Sequence, residues 1–505
     1  MFFSANSIHA LIVLIAPAYG YPGPIPRSHA PVTHVAPRLE GADVACSTFA
    51  AAWPEAVVTR ANTTEYTSEI KAHWSQTAWK SPDCIVTPAS VQELQSAYSQ
   101  IVSSNVTFAI RGCGHSPLPL WANVDNGILL STKSITSIEF NETSETVRAG
   151  FGNNWGALYT YLRPYGRIVV GGRSPSVGLA TILGGGLSHL SSLYGFVSDN
   201  VLEFELINGS GELIRASSQT NAELFYALKA GGTNFGIVTH VTMRTFPLEK
   251  VWGGALVFTN DHRDDIMRAL STYQNSGQLD AMSAVLPYMG LNNDTTYIIL
   301  VYLDEVEKPE AFRPFYDIPS IYDGTRVYDS LMDLISEDLN LVVPRWIYGA
   351  TTFLQDEQLY IDVAKIAQNA TSRLSSINGG SLVFQPQPIS TAMINNSLTR
   401  GTSPLTARLE NKAQIWLEMN FGWNYESDDS RVGEILEETL AQIEKLAKMR
   451  QLYSEFVFPN DAYLSQDPLR SFGTNTFRKL KRISRTYDPM GIFQSRLAGG
   501  FKLGA

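Results

Sequence analysis

The stretch Arg111-Gly112-Cys113-Gly114-His115-Ser116 follows an apolar run, Asn105 to Ile110, that reads as a buried strand. Glycines at the end of a strand let the chain turn sharply and bring backbone N–H groups close to a ligand. Such a concavity attracts negative charge without needing a lysine. The loop therefore suits a pyrophosphate. Its spacing invites comparison with the G-x-G-x-x-G turn of βαβ dinucleotide-binding units, where the third glycine lets a helix pack on the strand. Here that third place is Pro117, and Leu118-Pro119 follows. Two prolines so close together argue against a helix running on from the glycines, so a nucleotide site of another kind is expected.

Around this loop short strands and helices alternate without a regular βαβ succession, a mixed α+β texture. Ile85 to Thr87, Ile128 to Leu130 and Thr146 to Ala149 read as strands. Ser90 can cap a helix through Leu94 and Tyr98 to Val102, and Asn153 or Asn154 one through Trp155, Leu158 and Leu162. A second glycine-rich block runs from Gly171 through Gly172, Ser174, Ser176, Val177 and Gly178 to Gly184-Gly185-Gly186. Strands from Val201 to Ile207 and Glu212 to Ala216 flank the turn Asn208-Gly209-Ser210-Gly211. A helix from Asn221 to Lys229 and the segment Gly231-Gly232-Thr233-Asn234-Phe235-Gly236-Ile237-Val238-Thr239 follow.

R-G-C-G-H-S resembles the R-G-G-G-H-S or R-S-G-G-H-S loop of FAD-linked oxidoreductases of the vanillyl-alcohol oxidase and berberine-bridge-enzyme type. The second and third glycine-rich segments resemble that family's in the same order. The resemblance implies a two-lobed PCMH-type FAD-binding domain over residues 79–250, a substrate domain of helices and an antiparallel sheet over 251–455, and a C-terminal segment, 456–505, that completes the FAD domain. It implies cofactor contacts from Arg111, Gly112, Cys113, Gly114, His115 and Ser116, from Gly172, Ser174, Ser176, Val177 and Gly178, from Asn234, Gly236 and Val238, and from Asn460. His115 matches the histidine that many members bond to the flavin 8α-methyl group. Ser174 stands where some members carry a cysteine bonded to flavin C6. A hydroxyl does not readily replace a thiolate in that chemistry, so a single covalent link through His115 is expected.

Beyond Val251, strands at Ala281 to Tyr288 and Thr295 to Tyr302 alternate with helices near 262–275, 355–374 and 430–449. In the strand Gln414 to Phe421, period-two alternation puts Gln414, Trp416, Glu418 and Asn420 on one face and Ile415, Leu417, Met419 and Phe421 on the other. The first face can meet substrate, with Glu418 beside an aromatic wall formed by Trp416. Asp461, in Phe458-Pro459-Asn460-Asp461-Ala462-Tyr463, stands where plant relatives carry a tyrosine that serves some of them as a base. Glu418 and Asp461 are the catalytic candidates. In such an enzyme the flavin accepts a hydride at N5 while a protein base removes a proton.

The apolar run Ala10 to Ala18, ending near Gly20, reads as a signal peptide over residues 1–20, too short to span a bilayer. Residues 21–78 read as a lead-in, extended where Pro, Ala and His dominate up to residue 45. Sequons at Asn62, Asn105, Asn141, Asn208, Asn293, Asn369 and Asn395 point to the secretory pathway. There Cys46 and Cys84 could form a disulfide and leave Cys113 in the flavin loop; three reduced thiols are the alternative. A formal net charge of -10 and the lack of a basic stripe disfavour nucleic acid as a partner. No H-E-x-x-H or paired C-x-x-C proposes a metal, and no G-x-S-x-G proposes a hydrolase. The expectation is a secreted FAD-dependent oxidase of a small secondary metabolite, such as a polyketide, alkaloid, phenol or alcohol, with molecular oxygen as acceptor. An oligosaccharide oxidase is the alternative within the class, and a non-catalytic secreted flavin-binding protein the alternative outside it.

Overall fold

Three sheets carry the molecule, and the flavin-type loop leaves the first of them. A computed structural model describes residues 40–291, 294–336 and 343–504. The expected signal peptide and the sequon at Asn293 lie outside these residues. In the first sheet Phe108–Arg111 runs parallel to Ile128–Ser131, which runs parallel to Cys84–Val86; Val57–Thr59 closes the edge antiparallel. These strands are short and nearly continuously apolar because helices cover them. Helix Val91–Ser103 packs Leu94, Ala97, Tyr98 and Ile101 inward, and Ser90 caps it by accepting from the Glu93 N–H. The second sheet is antiparallel, ordered Ile138–Asn141, Thr146–Gly150, Gly236–Pro247, Val201–Asn208, Leu213–Ser217, with Arg167–Val169 joined to one end of the long strand. Asn154 caps helix Trp155–Leu162 through its side-chain oxygen.

The third sheet has nine antiparallel strands drawn from residues between Val251 and Ser454. Its centre is Ser283–Leu291, Ser381–Ile389, Gln414–Trp423 and Arg345–Leu354, neighbours in that order. One face meets the helices Arg263–Asn275, Glu357–Leu374 and Asp429–Met449, and Ile415, Leu417, Met419, Phe421 and Trp423 belong to the core between them. The opposite face of the same strands turns towards the flavin-type loop. Period-two alternation predicted that division.

The C-terminal residues return to the first sheet. The Arg496 carbonyl accepts from Phe108 N–H, and Ala498 N–H donates to the Phe108 carbonyl. The Arg496 guanidinium donates to the Ile101, Val102 and Val106 carbonyls, which satisfies the end of helix Val91–Ser103. Phe493 stacks on Tyr98.

The extended lead-in is corrected from residue 40 onward. Helix Glu40–Ala52 places Ala42, Ala45, Cys46 and Phe49 on one buried stripe, and Thr63–Lys71 is a second helix. Small residues in the first helix hid a helical period that burial exploits. A disulfide joins Cys46 to Cys84 across 38 residues, and Cys113 is free. Closing a loop of that length restricts the unfolded chain by about 4 kcal/mol. A Cys46→Ala/Cys84→Ala double variant is therefore expected to melt at markedly lower temperature with unchanged flavin content; a midpoint that does not move would refute this. Asn62, Asn105, Asn141, Asn369 and Asn395 are exposed. Asn208 is not: it is 6% exposed, its Nδ2 donates to Glu212, and its Oδ1 accepts from Ser210 and Glu212 N–H. The hairpin consumes that side chain, so the expected glycan at Asn208 has no place in this fold.

Among the described residues no helix is long and apolar enough to cross a membrane.

Candidate active site

The loop after Phe108–Arg111 is held open by its neighbours. Gly114 has φ +70°, and a Cβ there would lie 2.6 Å from the Ala72 carbonyl, so only glycine fits. The backbone N–H groups of Gly112 through Ser116 donate to no protein acceptor among the described residues. A Cβ at Gly112 would meet nothing closer than 3.6 Å, so protein packing does not demand that glycine. Free N–H groups beside a glycine that the protein itself does not require form a cradle suited to phosphate oxygens. The residues present thus fit FAD.

Arg111 does not face that cradle. It is 2% exposed, pairs with the Glu69 carboxylate and donates to the Glu69 carbonyl at 2.6 Å. Its side chain makes a structural tie, because a buried guanidinium needs a partner and Glu69 supplies it, so any cofactor contact of Arg111 falls to the backbone. Burial pushes the Cys113 thiol up to about 11, so it stays protonated. Its Sγ lies where a Gly178 Cβ would come within 3.0 Å, which brings the second glycine-rich segment onto the first. His115 stacks on Trp74, ring centroids 4.9 Å apart and 8° from parallel, and Trp74 stacks in turn on Trp346. Burial lowers the imidazole to about 4, so the ring is neutral at physiological pH. Trp74 N–H donates to the Gly114 carbonyl, and Ser75 Oγ accepts from Trp346 N–H, so residues 73–78 brace the loop against the third sheet.

In the second segment Gly172 is explained by Trp155, whose indole would lie 2.5 Å from a Cβ. Tyr159 donates to the Gly172 carbonyl at 2.8 Å. Ser174 and Ser176 are hydrogen-bonded at 3.3 Å, and the Val177 carbonyl accepts from Trp155 N–H. Asn460 donates to the Thr181 carbonyl while its buried Oδ1 has no hydrogen-bond partner among the described residues. That oxygen points at Gly184, where a Cβ would overlap it at 1.7 Å. In the third segment Asn234 donates to the Gly231 and Phe501 carbonyls and accepts from Gln494. A Cβ on Gly236 would lie 2.5 Å from the Ile207 carbonyl, and Val238 is in the core. These side chains serve the fold, so any cofactor contact there falls to the backbone.

On the face of the third sheet opposite its helices, Glu418 pairs across strands with Gln385 and Ala350, and Asn420 with Val383 and Tyr348. Asp461 joins them: Gln387 Nε2 donates to Asp461 Oδ2 at 2.8 Å, and Arg173 donates to Gln387 Oε1. Burial holds both carboxyls above the usual carboxylate range, each also answering to Arg173 and Glu418 additionally to the Asp461 charge. Burial, with the same two carboxyls, raises the Tyr348 phenol, which lies beside Ser116 of the flavin-type loop. Burial lifts Tyr288 to about 12. The structure thus gathers Glu418 and Asp461, some 43 residues apart in sequence, beside the cradle. An aromatic and carboxyl-lined wall of this kind can orient a small organic molecule and exchange protons with it.

Trp416 is corrected. It shares the strand face of Glu418, but it is 1% exposed and stacks on Phe196 and Phe458, so it belongs to the core. The aromatic groups beside the carboxyls are instead Tyr288 and Tyr348, while Trp74 and Trp346 stack at the loop. Sequence reading missed Arg173, Gln387 and Tyr348. A usable signal exists for Gln387: Gln385-Pro386-Gln387-Pro388 puts two buried glutamines on one face of a strand, and buried amides demand partners. His189 is buried, and burial with Arg173 nearby lowers its imidazole to about 3, so the ring is neutral.

A family profile described as FAD binding domain matches residues 82–217. The bifunctional solanapyrone synthase of Alternaria solani is 41% identical over 463 residues, covering 92% of this chain and 90% of that protein. An FAD-dependent monooxygenase of Arthrobotrys oligospora is 32% identical over 440 residues, 86% of this chain and 85% of that one. A xylooligosaccharide oxidase of Myceliophthora thermophila, solved with xylobiose, superposes with TM-score 0.74 over 91% of this chain and 99% of its own at 17% identity, a likeness of fold.

Proposed function

This chain belongs to the FAD-linked oxidoreductases of the vanillyl-alcohol oxidase and berberine-bridge-enzyme type, in their fungal secondary-metabolism branch, and from that membership we propose that it oxidises a small alcohol, phenol, polyketide or alkaloid, with molecular oxygen as acceptor. The observation that carries this reading is the pair of carboxyls, buried Asp461 and half-buried Glu418, on a sheet face whose Tyr348 lies beside Ser116 of the flavin-type loop. Bound FAD supplies the hydride acceptor. The loop N–H groups hold its pyrophosphate, His115 offers a neutral ring nitrogen for attachment, and the carboxyl pair provides the proton acceptor. The signal-like N-terminus, the exposed sequons and the Cys46–Cys84 bridge support a secretory location.

The test is anaerobic mixing of the holoenzyme with a panel of aromatic alcohols, phenols and polyketide lactones. Flavin bleaching by a panel member, with its carbonyl or dehydrogenated product, is expected. Bleaching by oligosaccharides alone would move the assignment to the sugar oxidases, which the absence of a cysteine at Ser174 disfavours. Colourless native protein would favour a role without catalysis.

Ser174 is expected to carry no bond to flavin C6, since its hydroxyl is shared with Ser176. Ser174→Ala should leave the yield of covalent flavin unchanged, and a peptide mass with two links to one flavin would refute this.

A further inference from the structure

The two carboxyls do not have equivalent surroundings: Asp461 is buried and Glu418 half-buried. Arg173 can only donate, so the Gln387 amide must turn its oxygen to Arg173 and its NH2 to Asp461. An NH2 group is itself only a donor, so Asp461 Oδ2 must accept. Gln387 is 1% exposed and Asp461 9%, which keeps water from competing for these bonds. Glu418 has Asn420 beside it on the same strand face, a neutral amide free of any such chain, which can present either its oxygen or its nitrogen. A second negative charge beside an ionised Asp461 is disfavoured in so dry a place. The other titratable groups around the pair are neutral: burial keeps the Tyr288 and Tyr348 phenols protonated and His115 and His189 unprotonated. Arg173 is thus the cation acting on both carboxyls, and one positive charge balances one negative.

We propose that the pair shares its work as one base and one acid: Asp461 is ionised and takes the substrate proton, Glu418 holds a proton and donates a hydrogen bond, and Arg173 and Gln387 are positioning residues that fix this division. The assignment rests on the oxidase reading for the proton-transfer step alone. In that step the hydroxyl proton passes to Asp461 and the C–H electron pair leaves as hydride to bound FAD. The C–O bond becomes C=O, which yields a carbonyl product, reduced flavin and a protonated Asp461.

Infrared difference spectra of the holoenzyme at neutral pH decide the protonation states without any substrate. Wild type minus Glu418→Gln is expected to show a protonated-carboxyl band, and wild type minus Asp461→Asn a carboxylate band. The reverse pattern, or carboxylate bands in both, would overturn the proposal. Gln387→Met, which deprives Asp461 of its donor, is expected to move the acidic limb of the flavin-reduction profile up by about one pH unit at unchanged FAD content. An unmoved limb would remove Gln387 from the assignment. A protein that no panel substrate bleaches would defeat the oxidase reading while the infrared result stood.

Discussion

His115→Ala is expected to release its whole flavin content on acid precipitation, whereas wild-type protein stays yellow in the pellet. A histidine must present an unprotonated nitrogen to form a bond to the flavin 8α-carbon, and burial keeps this imidazole neutral, down to about 4. Trp74 lies 8° from parallel with the ring and fixes its plane, and the loop around Gly114 fixes its position. The backbone N–H groups of Gly112 through Ser116 remain in the variant, so it should still bind FAD reversibly before denaturation. The measurement is visible absorbance of pellet and supernatant after acid, with a flavin-bearing peptide identified by mass. Wild type that loses all its flavin in acid would end the covalent assignment and leave FAD binding intact.

Asp461→Asn is expected to slow flavin reduction by roughly 10²–10⁴-fold, the usual worth of a positioned general base, at normal FAD content. The asparagine keeps the size of the side chain and can still meet Gln387, so a structural cause would show as lost flavin or a lower melting point. Glu418→Gln replaces one neutral donor by another and should cost less than Asp461→Asn. Stopped-flow reduction with a substrate found by the panel measures both. A rate that survives Asp461→Asn but collapses in Glu418→Gln would exchange the two roles. Rates that survive both would shift suspicion to Tyr348, whose phenol feels both carboxyls.

Much of this architecture was legible because local rules and tertiary needs agree. Pro117 and Pro119 exclude a helix after the glycines, Ser90 and Asn154 announce the helices they cap, and alternation along Gln414–Trp423 sorts its two faces. What escaped depends on partners distant in sequence. The pairing of the Arg111 side chain with Glu69, 42 residues away, is invisible to any local pattern. Trp416 and Glu418 share a face by period, yet Phe196 and Phe458 bury the first. Arg173, Gln387 and Asp461 come from three separate segments, and no spacing rule joins a glycine-rich loop, a strand and a C-terminal turn. Helix Glu40–Ala52 was hidden by its alanines, which pack well but give little periodic contrast.

The closure of the first sheet by its last residues dictates when the flavin-type loop can exist during synthesis. Arg496 reaches back 394 residues to the Val102 carbonyl, and Ala498 pairs with Phe108, the strand that launches the loop. While the ribosome is still translating the third sheet, that strand lacks its edge partner and the end of helix Val91–Ser103 lacks its arginine. Chains fold from the N-terminus as they emerge, but here the strand behind the cradle gains this partner only after residues 496–498 have been made. A nascent chain halted before Arg496 would carry every residue proposed to touch FAD and still lack the contacts that close the sheet from which the cradle springs.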